Sequence, residues 1–539
     1  MFAQLLTPIG GSLGLSFAVA MVPILAVLIL LGLLRRPAWQ AALVGLVLAL
    51  GIAVTGWAMP AGLAVNAIAN GAVFALWPVM WIVVNALLLY NVAVRSGRFE
   101  AFRNWVARHL PNDRRVVLVV VGFCFGALLE GVSGFGTPVA ITSSLLILVG
   151  YPPLEALVYV LIFNTAPVAF GALGAPVTVL GAVTNLPAPV LAAMIGRQLP
   201  VLAVILPFYV MGIYGGWRSI RALWPVLLVA GGSFAVSQFI ASNYIDYALT
   251  DVLSALGSLV ITLLFLRVWS PVPDAEFALA KAPEGNSAAA TGVPDWQGWL
   301  PWVVVSAVVI AWTSFKIPSI AAQKIQWPGL HHAISITLYK GKAYDAIWQF
   351  QPLSTGTAIL MATILTALLV RLSPAGFFAC IGQTIRQCWL AVVTVMLIVG
   401  LAYLMNYSGM AYTLGLGVAS TGNWFVLLSP FLGWVAVMLS GSDTSGNALF
   451  GNLQVVAARQ LQLNPVLFAA TNSSGGVMGK MISPQNIATG VSVTGMAGRE
   501  GEVFARTFWH SIILTIILGA LVALQQFVIP GVIPLLPGQ

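Results

Sequence analysis

The sequence predicts an all-α polytopic membrane protein with about 12–14 transmembrane helices. The first observation is composition: 60% of the 539 residues are hydrophobic and only 7% are charged, whereas a soluble domain carries about 25% charged residues. The second is a series of apolar runs close to the roughly 20 residues that a helix needs to cross a bilayer. The third is that the sequence has no series of short alternating strands, which argues against an outer-membrane barrel.

The apolar runs predict the helices in order along the chain. The first run, at about 13–34, is too long for the core of a signal peptide, so we interpret it as a retained helix. Several runs are too short to cross alone, and those beside Ser133-Gly134 and Ser445-Gly446 are predicted to be re-entrant hairpins or broken helices. The further predicted helices lie at about 38–58, 71–94, 116–129, 136–150, 154–172, 188–214, 222–240, 247–268, 298–314, 353–371, 385–405, 424–440, 447–460, 465–479 and 508–530.

Arginines between the helices predict the orientation of the chain. Arg35 and Arg36 follow the first helix, and six arginines lie from Arg95 to Arg115. Because cytoplasmic loops are enriched in Lys and Arg, both loops are predicted to be cytoplasmic and the N-terminus periplasmic. The same arginines account for the net charge of +9 without a nucleic-acid partner.

Two polar segments organise the second half of the chain. The proline-containing segment 269–297 predicts a flexible linker between transmembrane halves at 1–268 and 298–539. The segment 315–350 is predicted to be a solvated loop. Its paired His331 and His332 could bind a metal or respond to pH. No third ligand stands at a suggestive spacing, so no metal site is predicted.

Two glycine- and hydroxyl-rich interruptions break the apolar sequence. The first, 128–138, contains Glu130, and the second, 439–447, contains Asp443. Irregular backbone within a bilayer survives only where protein or a water-filled cavity surrounds it, and an ionisable residue at that depth indicates a functional site. The interruptions therefore predict a carrier of a small polar solute.

Three charged residues are candidates for the chemistry of transport. Burial disfavours a charged carboxylate, so Glu130 could take up a proton near neutral pH, or could instead be a structural hydrogen-bonded tie. Asp443 could be a second titrating or cation-handling group, or could cap a broken helix. Lys480 could attract a carboxylate substrate or neutralise Asp443 in the empty site; the alternative is that it snorkels to the membrane interface.

Helix N-termini and small polar side chains supply the predicted substrate site. A helix N-terminus carries partial positive charge and unpaired N–H groups, which can hold a small carboxylate without an arginine. Nearby hydroxyl and amide groups are expected to bind the rest of the substrate, although interhelical packing would enrich the same residue types. The predicted substrate-binding residues are Ser133, Gly134, Gly136, Thr137, Ser442, Thr444, Ser445, Asn447, Asn472, Ser473 and Gln485.

The interruptions also begin a weak internal repeat. Ser133-Gly134 resembles Ser445-Gly446, and Asn164-Thr165 resembles Asn472-Ser473 at nearly the same offset. The loop charges predict that the first interruption is entered from the cytoplasm and the second from outside. The two repeats would then be inverted, as they are in many secondary transporters.

At these residues the chain resembles the lactate permease family. The match is carried by 130–138, 441–452 and 483–486, and it extends over nearly the whole chain in length and in the early Leu-rich helices. The resemblance implies a bacterial plasma-membrane symporter that takes up lactate, and often glycolate, with a proton. It also implies kinship with ion transporters built from two inverted, hairpin-bearing repeats. Gly446 and Asn486 stand where serine is more often expected, which bears on substrate preference.

Together these features predict a secondary active transporter that imports lactate, and glycolate, with a proton carried by Glu130 or Asp443. A sodium-coupled or electrogenic carrier of another small carboxylate stays open, as does a passive channel. An intramembrane enzyme is disfavoured because no HExxH-like spacing exists. No cofactor is predicted. The predicted partners are a small monocarboxylate, a proton and the lipid bilayer, and the oligomeric state stays open.

Overall fold

The computed structural model is predominantly helical, and it describes all of the chain except residues 33, 35, 109–110, 133–136, 279–292, 497–498 and 537–539. Short π-helical turns at Ala75–Met80, Leu118–Phe125 and Ala241–Ile245 extend some of the helices. The α-helices are α1 (Leu13–Gly32), α2 (Ala38–Thr55), α3 (Ala61–Phe74), α4 (Trp81–Arg95), α5 (Arg98–Arg108), α6 (Arg114–Val117), α7 (Gly126–Val132), α8 (Thr137–Leu148), α9 (Pro153–Phe163), α10 (Gly171–Thr184), α11 (Ala188–Ile240), α12 (Thr250–Val268), α13 (Leu300–Ser314), α14 (Thr355–Leu369), α15 (Pro374–Ser408), α16 (Met410–Ala419), α17 (Phe425–Ser440), α18 (Asp443–Gln460), α19 (Pro465–Lys480), α20 (Pro484–Val493) and α21 (Glu500–Phe527).

Among the described residues, eight helical segments are long and apolar enough to cross a membrane, which confirms a multi-pass membrane protein. The number rises to nine if Pro153–Phe163 and Val168–Thr184, bent by 64°, count as one span. The 12–14 predicted transmembrane helices are more numerous because some of the predicted runs are joined in one helical segment and others are too short to cross alone. The eight segments are Leu13–Leu30, Ala38–Thr55, Ala61–Arg95, Ala188–Ile245, Tyr247–Val268, Pro374–Ser408, Gly422–Ser440 and Glu500–Phe527.

The predicted helices at 188–214 and 222–240 form the single helical run α11, which is broken at Gly216. The backbone there has φ +62° and ψ −168°, a conformation that glycine adopts far more readily than other residues. The whole segment Ala188–Ile245 has 58 residues, far more than the roughly 20 that one crossing needs. The break allows so long an apolar segment to change direction.

The segment 315–350 contains β-structure where the sequence predicts a solvated loop. Strand β2 (Gln323–Gln326) pairs antiparallel with β5 (Ile347–Phe350). Strand β3 (Ile334–Ile336) pairs in parallel with the N-terminal β1 (Phe2–Ala3) and antiparallel with β4 (Lys342–Ala343). These strands have two to four residues, too few for an alternating pattern to be recognised.

Four helices that the sequence does not predict, or predicts only at one end, are short. Helix α5 has 11 residues, α10 has 14, and α16 and α20 have 10 each; of α10, only residues 171 and 172 fall in a predicted helix. All four are shorter than a helix that crosses a bilayer, so long apolar runs do not indicate them.

Both halves of the chain contribute to a common hydrophobic core. Phe123 and Leu180 of the first half belong to the same buried cluster as Val455 and Phe468 of the second. Residues 279–292 of the predicted linker lie outside the described residues. The division of the chain at 269–297 and the inverted relation of the repeats therefore stay predictions.

Helices α17 and α19 pack with their backbones in close contact. A Cβ atom on Gly433 would lie 1.9 Å from the carbonyl oxygen of Asn472, and one on Gly475 would lie 2.1 Å from the carbonyl oxygen of Pro430. Small residues let membrane helices approach closely. This contact holds Ser473 and the rest of α19 against the second interruption, where α17 ends.

Candidate functional site

The second interruption is a two-residue break between α17 and α18. Gly441 follows α17 with a left-handed φ of +71°, and its N–H donates to the carbonyl of Val437 at 2.8 Å. A Cβ atom on Gly441 would lie 2.6 Å from Oε1 of Gln485, so both the conformation and the space favour glycine. Ser442 caps α18, because its Oγ accepts a hydrogen bond from the N–H of Ser445 at 3.4 Å.

Asp443 is the first residue of α18, and its side chain is buried. Its Oδ2 accepts hydrogen bonds from Ser473 Oγ at 2.5 Å and from Asn447 Nδ2 at 3.1 Å. Its Oδ1 is buried and has no hydrogen-bond partner in the described part of the chain. The capping role that the sequence suggests for Asp443 thus belongs to Ser442. An unpaired buried acceptor costs about 1–3 kcal/mol, so Oδ1 is suited to a proton, a water or a ligand donor.

Glu130 of the first interruption lies in α7 and is also buried. Its Oε1 contacts Nζ of Lys480 at 2.5 Å, and its Oε2 accepts a hydrogen bond from Asn164 Nδ2 at 3.0 Å. The ion pair joins the two halves of the chain. Lys480 is 6% exposed, so it does not snorkel to an interface. Its direct ion-pair partner is Glu130 rather than Asp443, the partner that the sequence suggests.

A small cavity of about 50 Å³ lies between the two halves beside this ion pair. A water needs roughly 10–15 Å³, so the cavity has room for about three to five waters or for part of a small carboxylate. Its walls combine charged groups with hydroxyl and amide groups, which is typical of a site for a small polar ligand. It is lined by Glu130, Val168, Gly171, Ala172 and Pro176 from the first half and by Gly441, Ser442, Asp443, Thr444, Lys480 and Gln485 from the second.

Two helix N-termini meet at this cavity. Helix α18 begins at Asp443, and α20 begins at Pro484, just after its cap Ser483. Gln485, in the first turn of α20, lines the cavity. Helix N-termini carry partial positive charge and attract anions. Together with the ammonium of Lys480, they make this cavity suited to a carboxylate.

The predicted substrate-binding residues fall into three groups. Those that line the cavity are Ser442, Thr444 and Gln485. Those that are buried without being part of its lining are Ser445, Asn447, Asn472 and Ser473. Those that lie outside the described residues are Ser133, Gly134 and Gly136. Thr137 is the first residue of α8, and its side chain is also outside the description.

Amide side chains form a continuous network behind Asp443. Asn447 Nδ2 donates to the carbonyl of Pro176 at 3.2 Å, Asn472 Nδ2 donates to Asn447 Oδ1 at 2.9 Å, and Gln454 Nε2 donates to Asn472 Oδ1 at 2.9 Å. The network connects α18 and α19 to α10 of the first half. Because a satisfied buried network is rigid, we interpret Asn447 and Asn472 as residues that hold the shape of the cavity.

Asp251 is a buried carboxylate that the sequence analysis did not single out. It lies at the start of α12, is 1% exposed, and neither of its carboxylate oxygens has a hydrogen-bond partner among the described residues. A carboxylate within the apolar run 247–268 is itself an indication of function. The same rule that drew attention to Glu130 could therefore have found it.

A larger vestibule of about 700 Å³ lies on the other side of α10. Thr178 of α10 contributes to it, whereas Pro176 lines the small cavity, so α10 separates the two spaces. Among the described residues of its lining, only Asp345 is charged. The aromatic and amide residues of its lining include Tyr247, Tyr344, Tyr403, Tyr407, Asn70, Asn185 and Asn406.

The paired histidines lie beside a third polar group. His332 Nε2 and Asp345 Oδ1 are 2.8 Å apart, and the rings of His331 and His332 stack with their centres 3.8 Å apart at 26°. Asp345 is the third group that the sequence spacing did not suggest, and one ligand atom from each residue lies within 4.8 Å of the others.

Comparison with known proteins gives a consistent family. The family model described as L-lactate permease matches residues 16–529. The chain is 40% identical to the glycolate permease GlcA of Escherichia coli K12, over 99% of each chain. It is 39% identical to the L-lactate permease of Salmonella typhi, over 97% of this chain and 98% of that protein. It is also 39% identical to the L-lactate permease of Bacillus subtilis, over 99% of this chain and 100% of that protein.

Solved structures are more distant. The YdaH transporter of Alcanivorax borkumensis has a TM-score of 0.43 and 16% identity over 85% of this chain and 86% of that chain. MtrF of Neisseria gonorrhoeae has a TM-score of 0.45 and 15% identity over 88% of this chain and 85% of that chain.

Proposed function

Because this chain belongs to the L-lactate permease family, we propose that it imports lactate, and glycolate, with a proton across the bacterial plasma membrane. Its relatives are permeases, which are transporters and not enzymes. The observation that carries the proposal is the cavity between the halves, where two helix N-termini and Lys480 lie opposite buried carboxylates. We further propose that the N-terminus is periplasmic and that the halves are inverted repeats.

The substrate carboxylate binds at the N-termini of α18 and α20, close to Lys480. Such positions favour an anion through the helix dipole and through N–H groups of the first turn. Ser442, Thr444 and Gln485 line the same cavity and contact the 2-hydroxyl of the substrate. The first interruption, with Ser133, Gly134, Gly136 and Thr137, is expected to complete the site.

Proton coupling would arise because two carboxylates, that of Glu130 and that of the substrate, compete for one ammonium. Lys480 forms an ion pair with Glu130, and an entering carboxylate competes for the same ammonium. Removing one partner of a buried ion pair leaves an uncompensated charge and costs about 3–5 kcal/mol. Protonation of Glu130 removes that cost. Asp443 is the other candidate proton carrier, because its Oδ1 is buried and unpaired among the described residues.

An uptake panel in proteoliposomes tests the proposal. Radiolabelled lactate and glycolate are expected to accumulate under an imposed inward proton gradient, and pyruvate, which lacks the 2-hydroxyl, is expected to accumulate less. A sodium gradient at fixed pH provides the second arm. Accumulation that requires sodium and ignores the proton gradient would contradict the proposal, as would equilibration without uphill accumulation.

A further inference from the structure

Asp251 lacks every partner that a buried ionised carboxylate needs. It is 1% exposed, and in the described part of the chain no hydrogen-bond donor contacts either carboxylate oxygen. An isolated ionised carboxylate is very costly to bury, and such a group generally neutralises instead. Such surroundings favour the neutral form of Asp251 over the ionised form.

The neighbours of Asp251 belong to the proposed transport site. A Cβ atom on Gly131 would lie 2.7 Å from the Cβ of Asp251, so the backbone that follows Glu130 lies directly against this side chain. Glu130 of α7 and Lys480 of α19 are the charged groups near enough to act on it electrostatically. Helix α10, which also packs against α12, has no ionisable side chain between Gly171 and Thr184.

Asp251 also lies near the vestibule. Tyr247, four residues earlier, lines the vestibule, and its hydroxyl is 3.3 Å from Thr178 Oγ of α10. Asp246, the nearest other carboxylate along the chain, accepts a hydrogen bond from the N–H of Ala248 at 2.8 Å. Asp251 thus lies about one helical turn from Tyr247 of the vestibule and directly against Gly131, which follows Glu130 of the ion pair.

Three carboxylates, Glu130, Asp251 and Asp443, accompany one ammonium in this buried region. One ammonium compensates the charge of one carboxylate. Each further buried carboxylate therefore needs either another cation or a proton that neutralises it. Asp443 has hydroxyl and amide donors, whereas Asp251 has none among the described residues. Asp251 is therefore the carboxylate that most needs a proton while Lys480 is paired with Glu130.

We propose that Asp251 is a proton-relay site that supplies the proton to Glu130 when a substrate carboxylate takes over Lys480. This inference rests on the proposed function. The O–H bond of Asp251 breaks and an O–H bond forms on Glu130. The Asp251 carboxylate then takes a proton from a hydronium ion that enters through the vestibule, which leaves a neutral water. The proton on Glu130 leaves on the cytoplasmic side after the substrate, and the Glu130–Lys480 pair forms again.

The test compares Asp251→Asn with the wild type and with Asp246→Asn in proteoliposomes. Asparagine keeps the shape of a protonated aspartic acid but cannot release a proton. We expect Asp251→Asn to slow net lactate uptake driven by a proton gradient about tenfold or more, and to remove its pH dependence, while lactate counterflow stays within about threefold of wild type. Asp246→Asn should behave as wild type, because asparagine caps a helical turn as well as aspartate does.

The possible results separate the relay from a structural role. Equal losses of net uptake and counterflow with an unchanged pH profile would overturn the relay, as would normal proton-driven uptake by Asp251→Asn. If Asp251→Asn does not reach the membrane, Asp251→Glu replaces it, since a longer carboxyl should shift the pH profile; an unchanged profile would contradict the proposal. Absence of proton-driven uptake by the wild type would instead refute the proposed function itself.

Discussion

The carboxylates beside the two interruptions have different partners. Glu130 has an ammonium and one amide, whereas Asp443 has one hydroxyl, one amide and an oxygen without a partner among the described residues. In both halves, a donor comes from the polar pair that the internal repeat matches, Asn164 for Glu130 and Ser473 for Asp443. The two halves thus present similar groups in different electrostatic surroundings.

The different partners affect how each carboxylate can change its charge. A carboxylate paired with a cation stays charged until an anion competes for that cation. A carboxylate with neutral donors can change its charge without breaking an ion pair. Under the proposed function, Glu130 of the first half therefore responds to the substrate. The second half offers helix N-termini and the Oδ1 atom of Asp443, which is unpaired among the described residues. Four predictions test this difference between the two carboxylates.

The largest effect is expected from removing the ammonium. Lys480→Met leaves Glu130 buried without its cation, so the free energy of unfolding should fall by about 3–5 kcal/mol and transport should be lost. Thermal unfolding in detergent and proton-driven uptake provide the measurements.

The double variant Glu130→Gln with Lys480→Met is the matched control. It removes both charges of the pair, so most of the stability should return while transport stays absent. If Lys480→Met proves as stable as the wild type at neutral pH, the ion pair does not hold the halves together as described.

The second prediction concerns the other carboxylate. Asp443→Asn keeps an acceptor oxygen for Ser473 and Asn447 but cannot titrate. The variant should abolish proton-coupled uptake and leave the amount of protein in the membrane unchanged, as measured by uptake in vesicles and by quantifying the purified membrane fraction. Normal accumulation by this variant would remove Asp443 from the mechanism.

The third prediction compares helix packing in the two halves. Gly475→Ala would place a Cβ atom 2.1 Å from a backbone carbonyl of α17, whereas in Gly122→Ala the nearest atom, 3.1 Å away, belongs to the ring of Phe163. Backbone cannot yield as a side chain can, so Gly475→Ala should cost about 1–3 kcal/mol of unfolding free energy and Gly122→Ala less.

Gly382→Ala is the control for these glycines, because its new methyl group would meet no atom within 4 Å. It should be neutral or stabilise α15 by about 0.5–1 kcal/mol. Thermal unfolding of the three variants checks the order, and a Gly122→Ala variant less stable than Gly475→Ala would reverse the comparison.

Single hydrogen bonds are expected to have effects of the same size or smaller. Asn164→Ala removes one donor from Glu130, which keeps its ion pair with Lys480, and should cost about 0.5–1.5 kcal/mol of unfolding free energy. Ser473→Ala removes one of the two donors to Asp443, whose other oxygen is unpaired among the described residues, and should cost somewhat more, up to about 3 kcal/mol. Equal losses in denaturation measurements would mean that the two surroundings do not differ energetically.

The sequence predicted the parts of this site that follow from strong local signals. Asp443 and Lys480 stand out because charge is rare in membrane-length apolar sequence, and Gly441 stands out because it lies in a cluster of glycine and hydroxyl residues. The structure brings all three to one cavity. The pairing of Lys480 with Glu130 could not be predicted, because it depends on contacts between residues far apart in the chain. Asp251 could have been found by the same rule.

The architecture was predictable to a similar degree. Composition and hydropathy identify the membrane class, since they sum over the whole chain. The short strands near His331, the helices of 10 or 11 residues and the vestibule depend on tertiary packing. Hydrophobic periodicity along the sequence does not predict these strands, short helices or cavities.

We propose that a substrate carboxylate displaces Glu130 from Lys480, so that Glu130 needs a proton. The proton flux that accompanies lactate entry tests this step, recorded with a pH-sensitive dye in proteoliposomes without any imposed gradient. We expect one proton to move inward per lactate in the wild type, and lactate exchange without proton flux in Glu130→Gln. Lactate entry without proton movement in the wild type, or unchanged proton flux in Glu130→Gln, would contradict it.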